Sequence, residues 1–160
     1  MLDFETADLW DRHGDALLCV DPIFRCYGLN KAFHGEIVTL KVFEDNSLVR
    51  NQLEQEGKNR VLVVDGGGSL RCALIGDQLA QLAIDNCWAG LVVNGCIRDS
   101  VVIDQMKIGM NALNTSPVKS VKKGLGELGI DVRFGGVRFR TGDFLYADQD
   151  GILVSAEKLH

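Results

Sequence analysis

The chain is short of several things that would have fixed its class at once. None of its apolar runs approaches the roughly 20 residues needed to cross a bilayer; Val61-Leu62-Val63-Val64 and Leu91-Val92-Val93 are among the longest. The N-terminus lacks a basic segment followed by an apolar one, so no targeting leader and no membrane partner are expected, and a cytoplasmic location is. Only two prolines occur among 160 residues, against eighteen glycines, which excludes a proline-rich linker and points to many tight turns. The five cysteines, Cys19, Cys26, Cys72, Cys87 and Cys96, are odd in number and contain no Cys-x-x-Cys spacing. They read as buried reduced thiols rather than a disulfide framework or a zinc site. Basic residues are not in surplus either. A formal net charge of -5 argues against direct nucleic-acid binding, and Lys119, Lys122 and Lys123 read as a solvated face.

What is present suffices for one domain spanning residues 1–160, with 46% apolar residues to build a core. Glu5 to His13 reads as a short leading helix with Thr6 as its N-cap. Gly35 to Phe43 alternates as a strand does, and Ser47 is expected to cap a helix that runs to Gln55. Arg60 to Asp65 is a β-branched run suited to burial on both faces. Gly66-Gly67-Gly68-Ser69 closes that run, without the Gly-Lys-[Ser/Thr] ending of a triphosphate loop or the spacing of a dinucleotide fingerprint. After a second strand–helix passage, Ser100 to Met106 reads as a short helix and Gly109 to Thr115 as a strand. The last third is a series of short strands broken by Gly135-Gly136, Thr141-Gly142-Asp143 and Asp148-Gln149-Asp150-Gly151. The pattern predicts an α/β fold ending in an antiparallel strand meander, with Asp148 and Asp150 as turn residues rather than metal ligands.

The stretch from Gly76 to Asp99 carries most of the chemistry. Asp77 stands at the mouth of a helix whose apolar face is Leu79, Leu82, Ala83 and Cys87, and there it is suited to cap the first turn. The same helix end offers N–H groups and the positive end of a dipole to an anion, so Gly76, Asp77, Gln78 and Leu79 could seat a carboxylate. Arg98 and Asp99 follow the apolar strand Gly90 to Ile97, where α/β proteins place ligand groups. Neighbouring strand residues point to opposite faces, so both serve one site only if the chain turns there. Arg supplies a planar fork for a carboxylate, and Asp supplies a hard oxygen for Mg²⁺ or Mn²⁺. Together they could hold a small 2-oxo acid; otherwise they are a helix cap beside a surface ion pair. Asp104, a little further on, is expected to face solvent.

Three stretches carry a resemblance: Val42-Phe43-Glu44-Asp45-Asn46; Arg60 through Ser69 with its Val-Asp-Gly-Gly-Gly core; and Gly142-Asp143-Phe144-Leu145-Tyr146-Ala147-Asp148. From about residue 2 to residue 154 the chain resembles the RraA-like family. That family comprises the regulators of ribonuclease activity, A type, and the class II 4-hydroxy-4-methyl-2-oxoglutarate aldolases. The resemblance implies a swivelling-domain-like β/β/α fold, homotrimeric or a dimer of trimers, with sites between subunits. Within the family, an Asp, twenty intervening residues and then Arg-Asp distinguishes aldolases from the ribonuclease regulator, and Asp77, Arg98 and Asp99 meet that pattern. The implied activity is divalent-metal-dependent retro-aldol cleavage of 4-hydroxy-4-methyl-2-oxoglutarate to two pyruvates. Cleavage of 4-carboxy-4-hydroxy-2-oxoadipate and oxaloacetate decarboxylation are implied beside it. Asp99 would hold Mg²⁺ or Mn²⁺ and Arg98 would stabilise the pyruvate enolate. The Gly76–Leu79 amides would bind a carboxylate, while Asp77 would orient a water or relay the C4-hydroxyl proton. The family's other reading is a non-catalytic regulator that binds ribonuclease E.

Overall fold

Side chains along the central strands alternate between two buried layers, and that alternation sets the architecture. The computed structural model describes residues 3–160. Its helices are α1 (Thr6–His13), α2 (Ser47–Leu53), α3 (Asp77–Asp85) and α4 (Ser100–Ile103). The strands are β1 (Leu17–Cys19), β2 (Arg25–Tyr27), β3 (Phe33–Lys41), β4 (Val61–Asp65), β5 (Ala73–Ile75) and β6 (Gly90–Ile97). They continue with β7 (Gly109–Thr115), β8 (Glu127–Leu128), β9 (Val132–Phe134), β10 (Val137–Phe139), β11 (Phe144–Ala147) and β12 (Ile152–Ser155). The large sheet runs β1-β12-β11-β3-β4-β6-β7-β2, with β5 added on β6 and β8 on β3.

Strands β3, β4, β6 and β7 are parallel neighbours, joined by crossovers that carry α2, α3 and α4. Leu40, Leu62, Val64, Leu91 and Val93 face the helices and pack with Val49, Leu53, Leu79, Ala83 and Ile103. Ile37, Val61, Val63 and Val92 face the other way, onto Val132, Phe134, Phe139, Leu145 and Val154 of the C-terminal strands. Because both faces are covered, β4 and β6 are buried along their whole length, and the Arg60–Asp65 run needs no polar alternation. The mixed α/β architecture is therefore β on β on α, as expected. The antiparallel meander is present too, as the β9–β10 hairpin and the β11–β12 pair.

Strand β3 does two jobs. Its first residues, Phe33 to Glu36, pair antiparallel with β11, while Ile37 to Lys41 pair parallel with β4. At this junction the Phe33 ring lies where a Cβ on Gly90 or Gly109 would have to go. The aromatic ring fits against the sheet only because both neighbours are glycine.

Several local expectations need correction. Thr6 is the first helical residue of α1 and Glu5 its N-cap; the capping acceptor is Asp148, which takes the Thr6 N–H at 2.7 Å and the Thr6 hydroxyl at 2.6 Å. Asp148 also accepts from the Asp150 and Gly151 N–H groups, so it is a structural tie between the two ends of the chain. Helix α3 stops at Asp85, short of Cys87, which is exposed at φ 60°. Cys19 and Cys26 are exposed as well, leaving only Cys72 and Cys96 as the buried thiols expected of all five. Asp104 does not simply face solvent; it accepts the Gly28 N–H at 3.0 Å.

Replacing Gly109 with Ala should drive the new methyl group into Phe33 and cost about 1–3 kcal/mol of stability. Thermal denaturation measures this, and an unchanged melting temperature would refute the account of the Phe33 junction.

Candidate active site

Strands β5 and β6 end side by side, and both lead into a helix at the same edge of the sheet. Beyond Ile97 the chain turns at Asp99, which adopts the left-handed conformation at φ 57°, ψ 37°. This is the turn the sequence required, and through it Arg98 and Asp99 both line one cleft with Gly76, Asp77, Gln78 and Leu79. The cleft encloses about 160 Å³.

The Asp99 carboxylate sits at the N-terminus of α3. Its Oδ2 accepts the Asp77 N–H at 3.1 Å, and a Cβ on residue 76 would come within 2.7 Å of that same oxygen. Gly76 is thus needed for close approach, its φ of -118° being ordinary. Asp77 is the first helical residue, Gly76 is the N-cap, and no side chain caps the helix from within. The expectation that Asp77 caps its own helix is therefore replaced: its backbone is the donor, and its side chain stays free to act in the cleft. Ala80 closes onto Gly76, but among the described residues the Gln78 and Leu79 N–H groups have no acceptor. Two unpaired donors at the positive end of a helix are suited to an anion. Arg98 is half-buried and, among the described residues, forms no ion pair. Its charge is left for a ligand.

A further part of the wall is made of residues the sequence did not single out as a site: Asn46, Arg50, Lys119, Ser120 and Lys122. Lys119 and Lys122 are exposed, as expected of a solvated face, and they also border the cleft. Four cations, Arg50, Arg98, Lys119 and Lys122, meet two carboxylates there, in a chain of net charge -5. Arg50 also reaches Glu54 at 3.8 Å, a half-exposed contact of small energetic weight. Two polar atoms on this wall, Asn46 Oδ1 and Ser120 Oγ, are buried without a hydrogen-bond partner among the described residues. Such orphaned atoms are costly unless a ligand or water meets them. Asn46 is held by its amide nitrogen, which donates to the Leu74 carbonyl at 3.1 Å.

The basic segment is brought to the cleft by backbone bonds. Ala73 donates to the Val118 carbonyl at 2.7 Å and Val121 to the Glu44 carbonyl at 3.0 Å. Beneath it, the buried Asp45 carboxylate accepts from the Ser47 N–H and hydroxyl and from the Lys123 and Leu125 N–H groups. Burial pushes the Asp45 carboxyl up, but the hydrogen bonds from Ser47, Leu125 and Lys123 outweigh it and hold the group at about 2. A depressed folded value means that its stabilising contribution is complete above the ordinary 3.8 and is lost as the pH falls through about 2.

The Gly66-Gly67-Gly68 loop forms no phosphate cradle of its own. Gly66 and Gly68 donate to the Asn94 carbonyl, Gly67 donates to Asp65, and Asn94 in turn donates to Asp65. Its amides are consumed in locking β4 to β6.

Among the described residues no cluster of three or more His, Cys, Asp or Glu side chains could hold a metal unaided. Two carboxylates border the cleft, Asp77 and Asp99, and Asp99 keeps Oδ1 unengaged while Oδ2 is held. That donor set is too sparse and too hard for zinc. It fits Mg²⁺ or Mn²⁺, which take one or two protein carboxylates and fill the other positions with ligand and water oxygens.

The family model described as RraA-like, Aldolase/RraA, matches residues 6–154. A protein of Aromatoleum aromaticum named "Putative 4-hydroxy-4-methyl-2-oxoglutarate aldolase" is 57% identical over 158 residues, 99% of each chain. A crystal structure from Geobacillus kaustophilus, described as an S-adenosylmethionine:2-dimethylmenaquinone methyltransferase, is 48% identical with a TM-score of 0.96, covering 98% of this chain and 97% of its own. The structure of the RNA-processing inhibitor RraA from Thermus thermophilis is 43% identical with a TM-score of 0.95, covering 99% and 96%. With the fold and nearly the full length in common, this chain belongs to the RraA-like family.

Proposed function

We propose that the protein is a divalent-metal-dependent aldolase that cleaves 4-hydroxy-4-methyl-2-oxoglutarate into two pyruvates. The observation that carries this reading is the convergence of Arg98, Asp99 and the open Gln78 and Leu79 N–H groups on one cleft with a cationic far wall. Relatives at about this chain's full length bear the aldolase name, which supports the same substrate class.

The substrate has a carboxylate at each end, and the cleft has a receptor for each. The C1 carboxylate is held by the Gln78 and Leu79 N–H groups at the positive end of α3. The C5 carboxylate lies toward Arg50, Lys119 and Lys122, with Asn46 Oδ1 and Ser120 Oγ within the same wall. Mg²⁺ or Mn²⁺ held by Asp99 would supply Lewis-acid polarisation of the 2-oxo group. Asp77 takes the proton of the C4 hydroxyl as the C3–C4 bond breaks. The bonding pair moves to C3, C4 becomes the carbonyl of one pyruvate, and the other half is left as an enolate. Arg98 places fixed positive charge beside the developing enolate oxygen. Protonation of C3 completes the second pyruvate. Oxaloacetate loses CO₂ from its own C3–C4 bond through the same enolate, so decarboxylation accompanies the aldol reaction.

The exposed apolar side chains Phe43, Leu70, Val101 and Val121 are close in sequence to residues of the cleft or of its supporting loops, and they suit burial by a second copy. A homotrimer, or a dimer of trimers, acting in the cytoplasm is the assembly proposed. The second functional reading is a regulator of ribonuclease E, favoured by the likeness to the RNA-processing inhibitor. A methyl donor carrying an adenine ring would need an apolar slot, whereas this small cleft is walled by charge.

The deciding assay follows pyruvate release from the aldol substrate and from oxaloacetate, with Mg²⁺ and with chelator. Release should occur only with the metal; none under either condition would put the regulator reading first. Asp99→Ala should abolish the metal-dependent rate, and full activity in that variant would refute the metal assignment. Arg98→Ala should lower kcat by about a hundredfold, the loss of about 3 kcal/mol of enolate stabilisation. A change of less than about threefold would remove Arg98 from that role.

A further inference from the structure

We propose that Asp45 is a positioning residue for the cleft: its carboxylate clamps the 119–125 segment to the start of α2 and thereby fixes the cationic wall against the far carboxylate of a dicarboxylic 2-oxo acid. The proposal rests on the reading of the cleft as a 2-oxo-acid site and assigns a function to a group that touches no substrate.

Asp45 is 2% exposed and carries four hydrogen bonds on two oxygens. Oδ1 accepts the Ser47 N–H at 2.9 Å and the Ser47 hydroxyl at 2.7 Å, fixing the first turn of α2 that presents Asn46 and Arg50. Oδ2 accepts the Lys123 N–H at 2.8 Å and the Leu125 N–H at 3.2 Å, on the segment that presents Lys119, Ser120 and Lys122. Ser47 Oγ closes the ring by accepting the Gly124 N–H at 3.2 Å. Each oxygen therefore holds one side of the same wall. Residues 121–130 are all exposed and contain little regular structure besides the two-residue β8; Val121 is held by the Glu44 carbonyl and residues 127–130 by β3, so between them Lys123 and Leu125 are held through Asp45. A neutral amide at position 45 could not accept on both sides at once, since its nitrogen only donates.

The helix-end cradle is built differently. Gln78 and Leu79 are placed by α3, and Asp99 by its bond to Asp77, none of which involves Asp45. Loss of the clamp should therefore weaken binding of the far carboxylate and spare the near one.

The test uses the full chain with Mg²⁺ and two probes, titrated by calorimetry. 2-Oxoglutarate spans both carboxylate positions and lacks the C4 hydroxyl needed for cleavage, whereas pyruvate occupies only the helix-end half. Asp45→Asn should weaken 2-oxoglutarate binding by about tenfold and pyruvate binding by less than about twofold, the loss of one charge-assisted anchor. Hydrogen exchange at residues 121–125 should accelerate in the same variant. Ser47→Ala should act in the same direction and provides the test if Asp45→Asn does not fold, while Ser47→Thr, which keeps the hydroxyl, should restore wild-type binding. Equal losses for both probes, no loss for either, or unchanged exchange would overturn the assignment. A wild type that binds 2-oxoglutarate but releases no pyruvate from the aldol defeats the aldolase reading and leaves the clamp standing. A wild type that binds neither probe overturns both.

Discussion

A carboxylate held by a helix end rather than by a cation is the constraint on which the cleft depends. Asp99 is fixed by one backbone N–H and by the dipole of α3, an interaction of about 0.3–1 kcal/mol at an exposed position. Had Arg98 or a lysine held it instead, the two charges would have neutralised each other and neither would be left for a ligand. The arrangement has two further requirements. Residue 76 must lack a side chain, and residue 99 must accept a left-handed backbone, which Asp tolerates better than most. Both concern residues that are themselves part of the cleft, so the geometry of the site and the local fold are inseparable there.

The three-layer arrangement supplies the rigidity behind this edge. Strands β4 and β6, buried on both faces, cannot tilt without disturbing the helices on one side and the C-terminal strands on the other. The Gly66–Gly68 loop and the Asp65–Asn94 bond lock the two strands together just before β6 delivers Arg98. By contrast the wall of Lys119, Ser120 and Lys122 is a loop, joined to the start of α2 through Asp45 and a few backbone bonds. The cleft thus joins a fixed receptor to an adjustable one.

Much of this was legible in the sequence. Buried β-branched runs announce β4 and β6, the Gly-rich punctuation announces the meander, and the residues of the family's Asp and Arg-Asp spacing line one cleft at one edge of the sheet. The far wall was not legible for a physical reason. Asn46 and Lys122 are 76 positions apart, and they share a wall through two backbone bridges, Asp45 with Val121 and Ala73 with Lys119, which leave no periodic trace. Asn46 lies within the Val42–Asn46 stretch that carries the resemblance, a signal available but unassigned. Two helix starts are capped from a distance in the same way. Asp77 and Thr6 both stand where a side-chain cap belongs, yet the acceptors are Asp99 and Asp148, brought from elsewhere in the chain. Local rules identify where a helix end needs a partner, and tertiary structure decides who supplies it.

The double pairing of β3 bears on how the chain emerges from the ribosome. All the cleft residues named here lie between positions 46 and 122, so they can be assembled before the last strands are made. Until residues 132–154 are synthesised, however, the face formed by Ile37, Val61, Val63 and Val92 lacks most of its cover, with Val20, Phe24 and Phe33 as its earlier neighbours. At about 5–20 residues per second that interval lasts seconds, with an apolar sheet surface and the free edge of β3 open to other nascent chains. The site comes early and its protection comes late, which makes the C-terminal strands the part of the sequence on which productive folding in the cell turns.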